Sequence, residues 1–78
     1  MNRYFFDVVD GYDHRDETGS MWADIEAVRI EAIRLSGEIL SEMPERFWHS
    51  EKWTMTVSDE NRQPLFTLEF SAQISSPK

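Results

Sequence analysis

The chain has 78 residues, 40% hydrophobic and 13% aromatic, with no cysteine and a formal net charge of −7 from 15 acidic and 8 basic side chains. A chain this short buries a marginal core, which its aromatic rings enlarge, and without cysteine it has neither disulfide nor thiolate–metal staples. The acidity opposes phosphate backbones and anionic membrane surfaces, and no apolar run approaches the roughly 20 residues of a membrane-spanning helix.

Residues 3 to 9, RYFFDVV, read as a strand, because aromatic and β-branched residues favour that state. The two-residue period puts Tyr4, Phe6 and Val8 on one face and Phe5, Asp7 and Val9 on the other. The start, Met1-Asn2-Arg3-Tyr4, runs straight into this strand with no signal-peptide pattern. Together with the missing cysteines this makes a cytoplasmic setting the expectation. Asp10-Gly11 then marks a turn, since glycine takes positive φ without steric cost. A short second strand is expected at His14-Arg15-Asp16, broken again by Glu17-Thr18-Gly19-Ser20.

Asp24 is the expected N-cap of a helix, with Glu26 in the first turn complementing the helix dipole. Ile25, Val28, Ala32, Leu35, Ile39 and Met43 recur at spacings of three and four and form one apolar stripe, flanked by Ser36 and Leu40. Glu31, Arg34, Glu38, Ser41 and Glu42 fall opposite. Gly37 weakens the helix mildly. Pro44 ends it or starts a separate turn, because it lacks an amide proton and restricts Met43. Residues 44 to 51 are then a connection in which Phe47 and Trp48 cover one end of the core.

Residues 52 to 58, KWTMTVS, alternate: Trp53, Met55 and Val57 on one face, Thr54, Thr56 and Ser58 on the other. Asp59-Glu60-Asn61-Arg62 reads as a hairpin turn, with Asn61 the candidate for a left-handed conformation. Residues 65 to 70 return as a strand, with Phe66, Leu68 and Phe70 on one face and Leu65, Thr67 and Glu69 on the other. The tail 71–78 is expected to fray. The order strand, strand, helix, strand, strand predicts a single α+β domain over residues 1–78. It is a two-layer β-β-α-β-β arrangement, ordered over 3–70, with a mainly antiparallel sheet packed on one amphipathic helix. The order of the hairpins across the sheet stays open.

The segments RYFFDVVDG, RDETG, DIEAVRIEA and VSDENRQPLFTLEF, spanning residues 3 to 70, resemble a family of small uncharacterised bacterial proteins, a domain of unknown function. That family has an aromatic first strand ending in Asp-Gly, a short acidic segment with glycine, an Ala- and Glu-rich helix and a closing hairpin. Asn61 stands where the family has glycine, a mild exchange because asparagine also tolerates the left-handed region. The resemblance implies the fold and brings no activity, cofactor or catalytic residue.

The acidic segment Asp7 to Gly19 poses the chemical question. Asp10, Asp13, Asp16 and Glu17 are candidate ligands for a divalent cation, which needs six to eight oxygens about one point if it is calcium. They do not match the EF-hand spacing, and Gly11 comes too early. The competing expectation is a turn whose aspartates accept backbone amides. His14 and His49 are the only histidines, in different connections, and either could serve as a general base beside a carboxylate. No serine elbow accompanies them, and Gly11, Gly19 and Gly37 lie too far apart for a phosphate loop. No catalytic residue and no cofactor are expected, and the chain is read as a non-enzyme.

A single helix covers one face of a sheet. Either Tyr4, Phe6 and Val8 or Phe5 and Val9 lie on the open face, with Leu65 joining them opposite Phe66, Leu68 and Phe70. Tyr4, Phe5, Val9 and Leu65 are therefore the candidate interaction residues. The leading expectation is a small non-catalytic module that self-associates, as a dimer for example, or docks a protein through a sheet face or edge. The alternative is an antitoxin-like or nucleic-acid-associated regulator, in which Tyr4 or Phe5 with Arg3, and Trp53 with Lys52, stack single-stranded bases. The acidity and the lack of a basic stripe weigh against nucleic acid.

Overall fold

The computed structural model describes residues 1–75. Its elements are β1 (Asn2–Val9), β2 (Asp13–His14), β3 (Ser20–Trp22), α1 (Ile25–Glu42), α2 (Pro44–Ser50), β4 (Lys52–Ser58) and β5 (Pro64–Ser71). Every strand pairing is antiparallel. The order across the sheet is β2-β1-β4-β5, and β3 also pairs with β1. The fold is α+β, as the periodicities predict. Of the tail expected to fray, Ser71 belongs to β5, and the Ala72 amide donates to the Glu51 carbonyl at 3.2 Å. Residues 76–78 lie outside the described residues.

Register places the core. Phe6 faces Val57 and Val8 faces Met55 across β1 and β4. Val57 faces Phe66, Met55 faces Leu68 and Trp53 faces Phe70 across β4 and β5. Since strand side chains alternate, these residues and Tyr4 share one face. Val28 and Ala32 of α1 and Phe47 of α2 pack on it, with Leu35, Ile39 and Leu40 at the margin. Burying one such aliphatic or aromatic side chain contributes about 1.5–3 kcal/mol. Ser36 is the one polar member of the buried helix stripe, and its hydroxyl rests 3.7 Å from the Met55 sulfur. Asp24 caps α1 as expected, accepting from the Ala27 amide at 2.9 Å. Ile25 and Met43, at the two ends of the predicted stripe, are exposed.

Four local expectations change. The second strand is only Asp13–His14, because beyond it the Asp16 side chain takes over from strand pairing and accepts the Phe6 amide. Ser20 opens a third strand where a break was expected: Ser20, Met21 and Trp22 pair with Tyr4, Arg3 and Asn2. Pro44 does begin a separate helix, α2, rather than a simple connection, since its missing amide costs nothing at a first helical position. In the last hairpin Arg62, not Asn61, is left-handed, with φ 64°. The Asp59 carboxylate accepts the Asn61 and Gln63 amides, each at 2.9 Å, and leaves Arg62 as the residue that turns the chain.

Gly19 shows how tightly the β2–β3 connection is held. Its φ is +70°, and a β-carbon there would lie 2.8 Å from the Tyr4 carbonyl oxygen and 3.0 Å from the Phe5 ring. Gly37, on α1, has open space around its α-carbon. Gly19→Ala should therefore lose at least about 2 kcal/mol, whereas Gly37→Ala should gain about 0.5–1 kcal/mol from helix propensity. Urea denaturation of the two variants reads both signs; equal effects would contradict this account of Gly19.

Candidate functional site

The acidic segment is a splice in the sheet. Along the outer edge of β1, β3 pairs with residues 2–4 and β2 with residues 8 and 9. In the gap between them the Phe6 amide donates to Asp16 Oδ2 at 3.0 Å. Asp16 Oδ1 accepts from the Gly19 amide at 2.9 Å, and the Asp16 amide donates to Asp7 Oδ1 at 2.7 Å. Arg62 closes the network from the far hairpin. Its Nη1 donates to Asp7 Oδ2 at 3.1 Å, its Nη2 to the Asp16 carbonyl at 2.6 Å, and its guanidinium carbon stands 3.8 Å from the Phe5 ring centroid.

These contacts decide several candidates. Asp10, Asp13, Asp16 and Glu17 are not gathered around one point. Asp16 serves backbone amides, Asp10 faces His14 and Arg46, Asp13 is exposed on β2, and Glu17 reaches only Arg15, at 3.9 Å. Among the described residues no cluster of three or more histidine, aspartate or glutamate side chains could hold a metal ion.

Tyr4 and Phe5, the alternative candidates for an open face, are both buried, at 7% and 8% exposure. Tyr4 lies in the core with Phe6 and Val8. Phe5 lies on the opposite face, where Arg62 covers it and Gly19 approaches it. Trp53 is 2% exposed, so the rings considered for base stacking are all enclosed. Val9 and Leu65 are exposed, each at 43%, but do not form one patch. Val9 faces Thr54, which faces Glu69, while Leu65 lies at the opposite end of β5. Between them the face is polar: the Thr56 and Thr67 hydroxyls meet at 3.1 Å, and Lys52 reaches Glu69 at 3.3 Å.

A second cluster ties the β1–β2 turn to α2. His14 Nε2 lies 2.9 Å from Asp10 Oδ1, Arg46 Nε lies 3.2 Å from Asp10 Oδ2, and Arg46 Nη2 lies 3.2 Å from His14 Nε2. One imidazole nitrogen cannot both donate to Asp10 and accept from Arg46, so the His14 tautomer selects between these contacts. The Asp10 side chain is 8% exposed. Burial pushes its carboxyl up, but the His14 hydrogen bond, the His14 and Arg46 charges and the Tyr12 amide together hold it below the ordinary value of 3.8.

The cluster borders an apolar cleft of about 340 Å³, floored by Phe6, Val8 and Trp53 and walled by Ile39, Leu40 and Met43. The Trp53 indole nitrogen is buried and makes no hydrogen bond. A histidine beside a carboxylate is the pair a general base needs. Here, however, Arg46 occupies the second carboxylate oxygen, and the trio acts as a clamp between sheet and helix. His49, exposed in the last turn of α2, takes no part in it.

The third feature is the outer edge of β5, which no described element covers. The Ala72 amide donates to the Glu51 carbonyl, and that pair continues the register of Ser71 with Lys52. Antiparallel ladders alternate bonded and unbonded positions. Phe66, Leu68 and Phe70 therefore turn their backbone groups toward β4, and Thr67, Glu69 and Ser71 turn theirs outward. Beside this edge, on the helix-bearing face, Phe66 and Leu68 are only partly buried and Phe70 is 52% exposed. Phe47 stacks edge-on against Phe70 at 5.0 Å and against the exposed Trp48 at 5.3 Å. Alternation marks Phe66, Leu68 and Phe70 as one face, but it carries no sign that the helix leaves that face partly uncovered. Ile30 and Ile33 are also exposed on α1, and both stand off its apolar stripe in the sequence.

The family model of a domain of unknown function (DUF6894) matches residues 3–71, almost the whole chain, and the chain belongs to that family. No curated protein and no solved structure matches it. Among the described residues no helix is long and apolar enough to cross a membrane.

Asp10→Asn removes the charge that the clamp is built on and should cost about 1–3 kcal/mol near neutral pH. Because folding lowers the Asp10 carboxyl, its contribution is complete above 3.8 and drains as pH falls through the lower folded value. The gap in melting temperature between the parent and Asp10→Asn should narrow as pH falls below about 4. A gap that widens as pH falls below about 4 would show that the sign is wrong.

Proposed function

We propose that this member of the DUF6894 family is a small non-catalytic interaction module that binds protein through the outer edge of β5. The observation that carries the reading is the pairing of outward backbone groups at Thr67, Glu69 and Ser71 with a partly uncovered row of Phe66, Leu68 and Phe70. Unpaired strand edges accept a further strand through main-chain hydrogen bonds, and flanking side chains give that addition its specificity. The outer edge of β1 is already occupied, so the opposite edge of the sheet consists of the short strands β2 and β3 with the Asp16 carboxylate between them. The opposite face is polar and offers no comparable surface.

An antitoxin-like role, in which the chain masks a basic protein, is a form of the same reading and is favoured by the net charge of −7. Direct nucleic-acid binding lacks that support, since Tyr4, Phe5 and Trp53 are buried.

Thr67→Pro removes one outward amide and sets a ring on the edge, a substitution edge strands tolerate. Proteins retained from a lysate by the immobilised parent should fall at least about tenfold with Thr67→Pro and be unchanged by Val9→Lys on the opposite face. Circular dichroism checks that both variants fold. Equal retention by the parent and Thr67→Pro would refute the edge as the docking site.

A further inference from the structure

We infer that β5 pairs with β5 of a second copy, antiparallel, about a twofold axis through Leu68. This rests on the reading of β5 as the docking edge and names its partner. The order of five residues points there. Phe66-Thr67-Leu68-Glu69-Phe70 reads the same from either end in character: aromatic, polar, leucine, polar, aromatic. An antiparallel twofold pairing requires such self-complementarity, because each contact occurs twice with the roles exchanged.

Backbone geometry limits the registers. Thr67, Glu69 and Ser71 present their amides and carbonyls outward, so hydrogen-bonded rungs join odd-numbered residues and even-numbered residues meet without bonds. With the axis at Leu68, Thr67 forms a rung with Glu69 of the second copy, its hydroxyl within reach of that carboxylate. Leu68 faces its own mate, and Phe66 faces Phe70 of the second copy. Moving the axis to Glu69 sets two carboxylates directly opposite each other, which is destabilising. Moving it to Thr67 sets Phe70 against Pro64 and Glu69 against Leu65. Of these three registers, only the one centred on Leu68 pairs all five residues from Phe66 to Phe70 with compatible partners.

The axis stands perpendicular to the sheet, so both copies carry their helices on the same side. The two Phe66–Leu68–Phe70 rows then join into one strip between the two helical layers. This covers Phe70, now 52% exposed, and ends the free edge. Two chains of net charge −7 repel one another, so salt should strengthen the pairing by screening.

The test measures solution mass by sedimentation from about 10 µM to about 1 mM protein. The parent should rise from 9.2 kDa toward twice that mass, more readily at high salt, and Thr67→Pro should stay at 9.2 kDa. Register is read by disulfide trapping, which is clean in a chain without cysteine. Leu68→Cys should cross-link to itself on oxidation, because residues facing each other without bonds lie about 4.5 Å apart at Cα, within disulfide range. Phe66→Cys alone should not cross-link, but a mixture of Phe66→Cys and Phe70→Cys should. A parent that stays at 9.2 kDa throughout overturns the second copy as partner, and the lysate comparison still judges the edge itself. A dimer that survives Thr67→Pro, or in which Phe66→Cys traps as fast as Leu68→Cys, overturns the register.

Discussion

The fold turns on what Arg62 holds together. Its guanidinium joins the last hairpin to Asp7 of β1 and to the Asp16 carbonyl of the β2–β3 connection, and it lies over the Phe5 ring. Each contact is modest. A partly exposed arginine–carboxylate pair contributes up to about 1 kcal/mol, and a cation over an aromatic ring about the same. Their effect is positional. The positive φ of Arg62 delivers its side chain onto the opposite face of the sheet, and there it covers the one large ring that the helices cannot reach. The same contact secures Asp16, whose carboxylate bridges the gap between two short strands on the edge of β1.

That arrangement makes the sheet asymmetric. One edge is finished by β2, β3 and the Asp16 carboxylate, in which backbone donors find partners even where no strand is present. The other edge, β5, is eight residues long, carries a single charge, and has apolar residues beside it that α1 does not fully cover. A protein that leaves such an edge open exposes a template for strand addition. The same small sheet thus has one short, interrupted edge and one long, continuous edge, and only the latter offers a full strand for pairing.

The Asp10–His14–Arg46 cluster serves a different end. It anchors α2 to the β1–β2 turn across an apolar cleft, so that Phe47 can close one end of the core and meet Phe70 at the open edge. The ionic clamp and the docking strip are thus connected through a single aromatic contact. The acidic loop, which looks like a ligand set when read as composition, commits Asp7, Asp10 and Asp16 to structural tasks and leaves Asp13 and Glu17 exposed and apart, so its carboxylates do not meet at one point.

Local chemistry is legible in the sequence alone. The periodicities of residues 3–9, 25–43, 52–58 and 65–70, the cap at Asp24 and the break at Pro44 are short-range properties, and the α+β fold follows from them. The two faces of each strand are equally plain from alternation. Long-range placement is not legible in this way. Phe5 is buried because Arg62 arrives from the far hairpin, and β3 exists because Gly19 permits a close approach to Tyr4. Asn61 carries the expected signal for a left-handed turn, but the Asp59 carboxylate engages its amide and passes that conformation to Arg62. Which aromatic residues remain at the surface depends on strand order and on how far one helix reaches across the sheet. Only tertiary structure decides these, because side-chain alternation determines a face but not what lies over it.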